Sequence, residues 1–131
     1  MNNKLDKILA EISAGELIDK ITILEIKKTK ISDKEKLDDI KKELFSLNET
    51  LKKFIPNQNN IKNLIDELKK INLKLWDIED GKRTAEKNNK FDEKFIELAR
   101  NVYKFNDERA KIKLHINNAL GSNIKEVKSY K

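Results

Sequence analysis

The fold is decided by the stretch FDEKFIELARNVYKFNDERAKIKLHINNA at residues 91–119. Positions that recur at alternating intervals of four and three residues form one stripe along it, which is the repeat of a helix that lies along other helices. The stripe consists of Phe91, Phe95, Leu98, Val102, Phe105, Arg109, Ile112, Ile116 and Ala119. Arg109 is its one charged member, so the pattern predicts an arginine on the face that packs against neighbouring helices.

Three earlier stretches carry similar stripes and have recognisable ends. SAGE at residues 13–16 and SDKE at residues 32–35 predict capping boxes at the starts of two helices. The stripe of the second helix is expected to run from Leu37 to Phe54, and Pro56 ends that helix because proline lacks a backbone donor. The first helix is apolar on several faces, so we expect it to be buried on more than one side. The helices are predicted at residues 14–31, 33–54, 61–88 and 92–120.

Short loops make neighbouring helices antiparallel. The sequence therefore predicts an all-α protein, in which residues 1–131 form one domain. Its architecture is an antiparallel up-down four-helix bundle with long coiled-coil-like hairpins. At the N-terminus, Leu5, Ile8, Leu9 and Ile12 have helical spacing, so the short N-terminal element is either a short helix or an extended lead-in. The tail over residues 121–131 carries apolar residues through which it can fold back onto the bundle, namely Ile124, Val127 and Tyr130.

The composition is typical of a helical protein and limits its chemistry. Charged residues make up 40% of the chain, which has only 3 Gly and 1 Pro, and helical bundles tolerate both features. The absence of cysteine excludes disulfides and thiolate chemistry. No apolar run approaches the roughly 18 residues of a membrane span. These features predict a cytoplasmic protein without a membrane partner.

The net charge of +6 raises the question of nucleic-acid binding. However, basic residues alternate with acidic ones, as in KEKLDD at residues 34–39, and base recognition favours arginine, which occurs only as Arg83, Arg100 and Arg109. Lys, Asn and Ile are abundant together, so a codon bias towards AT accounts for the basic excess. A nucleic-acid-associated basic protein is therefore only the third hypothesis.

Reflection of each predicted hairpin about its turn places Arg109 in the middle of the bundle, level with Asn72 and Asp19. A buried guanidinium needs a carboxylate and further acceptors. Glu25 points inward best but lies about two turns away, whereas Asp19 has the right level and a less favourable face. The candidate partners are Glu16, Asp19 and Glu25, with Thr22 and Asn106 as neutral ones. Three interpretations stay open: a structural ion pair that fixes helix register, an anion-binding pocket and an oligomer interface.

Other polar residues come level with this layer. Trp76, Asp80 and Arg83 share one flank of the third helix because they are four and three residues apart. Trp76 is most simply part of the core, and the more specific interpretation is a stacking surface for a ligand. Reflection places Arg100 opposite Asp80. The candidate ligand-binding residues are therefore Glu16, Asp19, Glu25, Asn72, Trp76, Asp80, Arg83, Arg100, Tyr103, Asn106 and Arg109.

No constellation in the sequence predicts catalysis. Glu16 with Asp19, and Asp77 with Asp80, have the spacing by which helical Mg²⁺ enzymes hold their metal, but both pairs mostly face away from the apolar stripes. His115 is the single histidine, so neither a di-iron nor a zinc site is predicted. Nucleophile triads, phosphate loops and dinucleotide fingerprints are absent. We therefore assign no catalytic residue, no metal ligand and no cofactor.

Several motifs of the chain resemble those of a known family. They are GELIDKITIL at residues 15–24, LW at 75–76, IED at 78–80, FD at 91–92, FIELAR at 95–100, NDERA at 106–110, GS at 121–122 and KSY at 128–130. The family contains short helical proteins from bacteria and marine viruses and is classed only as a domain of unknown function. The resemblance covers most of the chain from Ser13 onward and implies no activity. It implies that the family's pattern includes Glu16, Asp19, Trp76, Asp80, Arg100, Asn106 and Arg109.

The leading functional hypothesis is a non-enzymatic protein-interaction or regulatory module. It would present a helical surface to a protein partner or to a second copy, as a homodimer. The alternative is a small enzyme or binder of an anionic metabolite that uses the polar layer around Arg109.

Overall fold

The structure, a computed structural model, describes residues 4–127. Four helices run through this range: α1 (Ala14–Lys30), α2 (Lys34–Phe54), α3 (Lys62–Lys87) and α4 (Glu93–Leu120). Between residues 4 and 127 there is no strand, so the all-α four-helix prediction is confirmed, and every helix end lies within one residue of its predicted place. The KSY motif at residues 128–130, and with it the predicted packing of Tyr130, lies outside the described residues. The single-domain assignment stays a prediction.

The central helix of the bundle is α1. It packs against α2, α3 and α4, and α3 also pairs with α4. It contributes more buried apolar side chains than any other helix, and these lie on more than one side of it, as predicted. They are Leu17, Ile18, Ile21, Leu24 and Ile26. Burial of each such side chain stabilises the fold by roughly 1.5–3 kcal/mol, so the core is built around this one helix.

The second helix is attached to the bundle through α1 alone, since no Cα atom of α2 lies within 8 Å of α3 or α4. The α2–α3 connection carries the chain to another side of α1 and is anchored there by Ile55 and Ile61, which are both buried. The predicted stripe is wrong at its end, because Phe54 has no second neighbouring helix to cover it and is 69% exposed. The predicted cap is also wrong, since Asp33 rather than Ser32 accepts the hydrogen bond from the backbone N–H three residues on.

Close contacts between helices define their directions. Gly15 of α1 approaches Lys113 of α4, whereas Asp19, one turn later, reaches Arg109, one turn earlier. The helices α1 and α4 are therefore antiparallel. Contacts of residue 81 with residue 98 and of residue 74 with residue 105 show the same for α3 and α4. Within the described range, no helix has the length and apolarity that crossing a membrane requires.

The first three backbone N–H groups of α1 are capped by side chains from both ends of the chain. Ser122 Oγ accepts from the first at 3.1 Å, Asn117 Oδ1 from the second at 2.7 Å and Ser13 Oγ from the third at 3.0 Å. The predicted capping box is thus half right. Ser13 accepts from the backbone of Glu16 as expected, but the Glu16 carboxylate accepts from Lys113 Nζ on α4 at 2.5 Å.

The two ends of the described chain meet beside this cap. Residues 4–13 form no regular secondary structure, so of the two predicted alternatives the N-terminal element is the extended lead-in. The tail returns over the start of α1, where Ser13 Oγ donates to Glu126 Oε1 at 2.5 Å. Ile124 is partly buried by this return, as predicted, whereas Val127 is almost fully exposed.

The approach of α1 to α4 at Gly15 is a testable feature of the fold. A Cβ atom at this position would lie 2.6 Å from the backbone oxygen of Lys113, which cannot move without shifting α4. We expect Gly15→Ala to lower the free energy of unfolding by roughly 1–2 kcal/mol, because overpacking outweighs the gain in helix propensity.

The matched control is Gly81→Ala. There the added Cβ meets the end of the Leu98 side chain at 3.1 Å, which can rotate away, so the helix propensity of alanine is gained at little cost. Thermal and urea denaturation should rank Gly81→Ala at or above the wild type and Gly15→Ala below it. Equal stability of the two variants would contradict the close approach.

Candidate functional site

Asp19 and Arg109 form an ion pair across the interface of α1 and α4. The Asp19 side chain is 1% exposed and that of Arg109 is 29% exposed. Arg109 Nε donates to Asp19 Oδ1 at 2.9 Å, and Nη2 donates to Oδ2, so the contact is bidentate. Such planar pairs are strong and hold both side chains in one orientation. Of the three candidate carboxylates, the partner of Arg109 is therefore Asp19.

The third helix joins the same pair through Asn72. Its Nδ2 donates to Asp19 Oδ1 at 2.9 Å and lies 2.9 Å from Thr22 Oγ1. Asp19, Thr22 and Asn72 are all buried, and no buried side-chain nitrogen or oxygen among the described residues lacks a hydrogen-bond partner. The predicted face of Asp19 was wrong because α1 is covered on nearly all sides, so that a residue off its apolar stripe is buried as well.

The environment of Arg109 keeps its guanidinium charged. The hydrogen bond from Arg109 to Asp19 raises the pKa of Arg109, burial lowers it, and the charges of Asp19 and Glu16 raise it further. The net direction is upward from an already high value. Asp19 and Arg109 thus act as a charged pair, and the polar layer is held by electrostatic attraction as well as by hydrogen bonds.

A second ion pair lies one turn along the same interface. Lys113 Nζ is 2.5 Å from Glu16 Oε2 and 3.9 Å from Asp19 Oδ2. The acids at positions 16 and 19 of α1 thus face the bases at positions 113 and 109 of the antiparallel α4. The sequence analysis did not identify Lys113. Lys113 lies one turn after Arg109, and Glu16 lies one turn before Asp19, so antiparallel packing of the two helices would have predicted the second pair.

The outer edge of Arg109 faces a cavity of about 320 Å³ between α1, α3 and α4, which we name the Arg109 cavity. Six of the predicted site residues line it: Asn72, Trp76, Asp80, Arg83, Asn106 and Arg109. Residues that were not predicted complete it, namely Ile23, Ile26, Lys27, Leu75 and Glu79. Arg109 Nη1 also approaches Asn106 Oδ1 at 3.4 Å. The flank of α3 that the sequence identified and the polar layer around Arg109 therefore belong to one concave site.

The remaining predicted residues lie outside the Arg109 cavity. Glu16 pairs with Lys113, as described above. Glu25, predicted to point inward, instead forms a surface ion pair with Lys69 at 3.8 Å, in which both side chains are roughly half exposed. Arg100 and Tyr103 are exposed on α4. Reflection of the hairpins located these residues along the bundle axis but not around each helix.

A neighbouring cavity of about 300 Å³ lies on the other side of Arg109 and Asn106, against the tail. Its lining includes Lys113, Asn117 and Glu126, which fasten the tail to the start of α1. In residues 4–127 no three or more His, Cys, Asp or Glu side chains come together as a metal site would require. The chemical character of this region is thus set by paired charges, amides and one indole.

The Asp19–Arg109 pair makes a direct prediction about stability. Asp19→Asn leaves a largely buried guanidinium without a carboxylate, and we expect the free energy of unfolding to fall by roughly 3 kcal/mol. Glu25→Gln, which breaks an exposed pair on the same helix, should cost no more than about 1 kcal/mol. Guanidinium chloride denaturation followed by circular dichroism measures both, and similar small losses would contradict a structural role for Asp19.

The tail contact predicts a dependence on pH. Burial raises the pKa of Glu126, but the hydrogen bonds from Ser13 and from its own backbone N–H, the charge of Lys113 and the hydrogen bond from Asn117 together bring it below the ordinary value of 4.5. Because the folded-state pKa is depressed, the stabilisation by Glu126 is present above that value and is lost as the pH falls through the folded-state pKa.

We therefore expect the melting temperature of the wild type to fall more between about pH 6 and pH 3 than that of Glu126→Gln, which cannot titrate. Glu108→Gln, a change at an exposed glutamate of α4, should follow the wild type. Differential scanning calorimetry across this range provides the measurement. If the Glu126 and Glu108 variants have the same pH dependence, the tail is not held by this carboxylate.

Comparison with known proteins places the chain in a family. Residues 8–131 match the model of a family of unknown function, DUF6165. No curated protein matches, and no solved structure does. The match begins earlier than the resemblance noted from Ser13 onward and covers nearly the whole chain, whereas the bacterial and marine-viral distribution stays a prediction. With its four packed helices and this match, the protein belongs to the DUF6165 family.

Proposed function

We propose that the protein binds a small anionic ligand in the Arg109 cavity, without converting it chemically. The observation that carries this proposal is that Lys27 and Arg83, which line the cavity together with Arg109, form no ion pair with any described residue. Lys27 and Arg83 thus line a concave site without a carboxylate at ion-pairing distance from either of them. A carboxylate or phosphate would supply the missing partner.

The charges around the cavity favour an anion over a cation. Asp19 neutralises Arg109, and Lys82 pairs with Glu79 at 3.5 Å. Among the charged residues that line the cavity, this leaves the two cations Lys27 and Arg83 and the one anion Asp80, so the local net charge is positive. The Asp19 carboxylate accepts from Nε and Nη2 of Arg109, and Asn106 accepts weakly from Nη1. A guanidinium carries five N–H donors, so this cavity-lining side chain retains donors for a ligand.

The walls of the cavity favour a ligand with an apolar or planar body. Trp76 is half-buried at its side, and Ile23, Ile26 and Leu75 supply apolar surface. An indole face stacks on planar groups, and its N–H is an additional donor. A volume of about 320 Å³ lies at the small end of the range for ligand sites. The ligand that fits this chemistry is a small aromatic or unsaturated carboxylate or phosphate.

The chain offers a direct probe of this site, because Trp76 is its single tryptophan. Benzoate and phenyl phosphate should change the Trp76 fluorescence saturably, whereas benzylamine and benzyl alcohol, which keep the ring but lack the negative charge, should not. Because all four compounds contain the same ring, the comparison isolates the effect of the negative charge. Failure of both anions to produce a saturable change up to millimolar concentration would overturn the proposal.

Two arginine variants test whether the signal comes from the Arg109 cavity. Arg83→Gln removes a cavity cation and should weaken phenyl phosphate binding at least tenfold, which corresponds to about 1.4 kcal/mol. Arg100→Gln removes an exposed arginine that does not line the cavity and should leave the affinity unchanged. Both changes lie on exposed side chains, so the fold is expected to stay intact. Equal weakening by both variants would indicate general attraction to the basic surface.

A further inference from the structure

The Arg109 cavity follows the third helix over three turns. Its first lining residue on α3 is Asn72 and its last is Arg83, whose Cα atoms lie about 16 Å apart along the helix axis. Trp76 lines the cavity between them. The cavity therefore has two ends, with the indole in the middle.

One end is formed where α3 meets α4. Asn72 and Arg109 both donate to Asp19 Oδ1 at 2.9 Å, so they lie at the same level of the bundle. Asn106 lies one turn before Arg109 on α4, and its Oδ1 accepts from Arg109 Nη1 at 3.4 Å. We call the part of the cavity lined by Asn72, Asn106 and Arg109 the Arg109 end.

The other end is formed by later residues of α1 and α3. Both helices are antiparallel to α4, so they are parallel to each other. Asp19 is level with Asn72, and Lys27 lies eight residues further along α1 than Asp19, which is about 12 Å. The same step along α3 leads from Asn72 to Asp80. Lys27 therefore comes level with Asp80, and we call the part of the cavity lined by Lys27, Asp80 and Arg83 the Arg83 end.

The net positive charge of the cavity is located at the Arg83 end. Glu79 also lines this end but pairs with Lys82 at 3.5 Å. Two cations and the one carboxylate of Asp80 are left there. An anionic group of a ligand is thus attracted to this end rather than to the Arg109 end.

The Arg109 end has hydrogen-bond donors but no net charge. Asp19 neutralises Arg109 through a bidentate ion pair, and Asn72 and Asn106 are neutral amides. The Arg109 guanidinium retains N–H donors beyond those that Asp19 and Asn106 use. Since Asn106 Oδ1 accepts from Arg109, the amide nitrogen of Asn106 is a further donor. This end is therefore suited to a neutral acceptor.

We propose that the ligand of the Arg109 cavity carries a neutral hydrogen-bond acceptor, such as a ketone or amide carbonyl, opposite its anionic group. The anionic group lies at the Arg83 end, the planar body lies against Trp76, and the carbonyl accepts hydrogen bonds at the Arg109 end. This assignment rests on the proposed function and adds to it the direction of the ligand and a second group that the site recognises.

Two other groups fit the Arg109 end less well. An apolar group would displace water from the donors of Arg109 and Asn106 without offering them an acceptor, which costs free energy. A second carboxylate would approach the buried carboxylate of Asp19, whose charge already neutralises Arg109. A neutral carbonyl avoids both costs.

A single aromatic ring with substituents at opposite positions matches the size of the cavity. The volume of about 320 Å³ is at the small end of the range for ligand sites. Side chains of an α-helix lean towards its N-terminus, so the Arg83 side chain leans towards Trp76 and shortens the distance that the ligand has to span.

The first test compares benzoates that differ only opposite the carboxylate. Trp76 is the single tryptophan, so the ¹⁵N-labelled chain gives one indole cross-peak in a ¹H–¹⁵N correlation spectrum, and its shift measures even millimolar affinities. We expect 4-acetylbenzoate to bind about fivefold more tightly than 4-isopropylbenzoate, which has nearly the same shape but no acceptor. Terephthalate, with a second carboxylate, should bind no more tightly than benzoate.

The outcomes separate this inference from the proposed function. If benzoate binds and 4-isopropylbenzoate binds as tightly as 4-acetylbenzoate, the proposed function stands and the acceptor is refuted. If terephthalate binds most tightly, the Arg109 end takes a second anion, which also refutes it. If none of the four compounds shifts the indole cross-peak saturably, both proposals fail.

The second test locates the acceptor within the cavity. Asn106→Leu keeps the size of the side chain but removes its donor, and should remove most of the difference between 4-acetylbenzoate and 4-isopropylbenzoate. Arg83→Gln should weaken both compounds by the same factor, because both place their carboxylate at the Arg83 end. The matched control is Asn101→Leu, a change on α4 outside the cavity lining, which should preserve both affinities.

The reverse pattern would overturn the assignment. If Asn106→Leu retains the full difference between the two compounds while Arg83→Gln abolishes it, the carbonyl lies at the Arg83 end and the ligand has the opposite direction. Circular dichroism and thermal denaturation of each variant verify that the fold is intact. The comparison of compounds on the wild-type chain needs no variant, so the proposal stays testable if one of them fails to fold.

Discussion

The buried carboxylate of Asp19 is the constraint on which the rest of this structure depends. A charge removed from water costs several kcal/mol unless it is paired, and Arg109 and Asn72 supply its partners from two other helices. A slip of α4 along α1 by one turn, about 5.4 Å, would still bring apolar stripes together, because these repeat at nearly every turn. It would leave Asp19 without its guanidinium. The ion pair thus selects one register among several that hydrophobic packing alone allows.

The same contact determines what the Arg109 cavity presents. Asp19 accepts two hydrogen bonds from one edge of the Arg109 guanidinium. This contact fixes the plane of the guanidinium and the direction of its other donors, which a lysine at this position would not provide. Asn72 sets the rotation of α3 about its axis because it must reach Asp19. Trp76 lies one turn beyond Asn72, and Arg83 two turns beyond Trp76, so both come to the same side. The residues of the cavity are thereby positioned by a layer that also stabilises the fold.

Much of this arrangement could be predicted from local sequence signals. Stripes, caps and short turns define the ends of the helices closely. Reflection about the turns brings Arg109 level with Asn72 and Asp19, because in an antiparallel pair the numbers of two residues at the same height add up to a constant. The predictions that were wrong concern contacts between residues that are distant in the sequence. The face of Asp19 could not be judged on a helix that is apolar on more than one side. The carboxylate of Glu16 had two partners in reach, its own helix start and Lys113, and only the packing of α4 decides between them. Phe54 follows its stripe faithfully, yet α2 has no second neighbour to bury it.

The two ends of α1 contact different parts of the protein. At its start the tail and α4 supply caps to the first three N–H groups, so the positive end of the helix dipole is already occupied there. Towards its other end, α1 lends Ile23, Ile26 and Lys27 to the Arg109 cavity. Between the two lies the layer of Asp19, Arg109 and Asn72, which packing and hydrogen bonds hold in one arrangement.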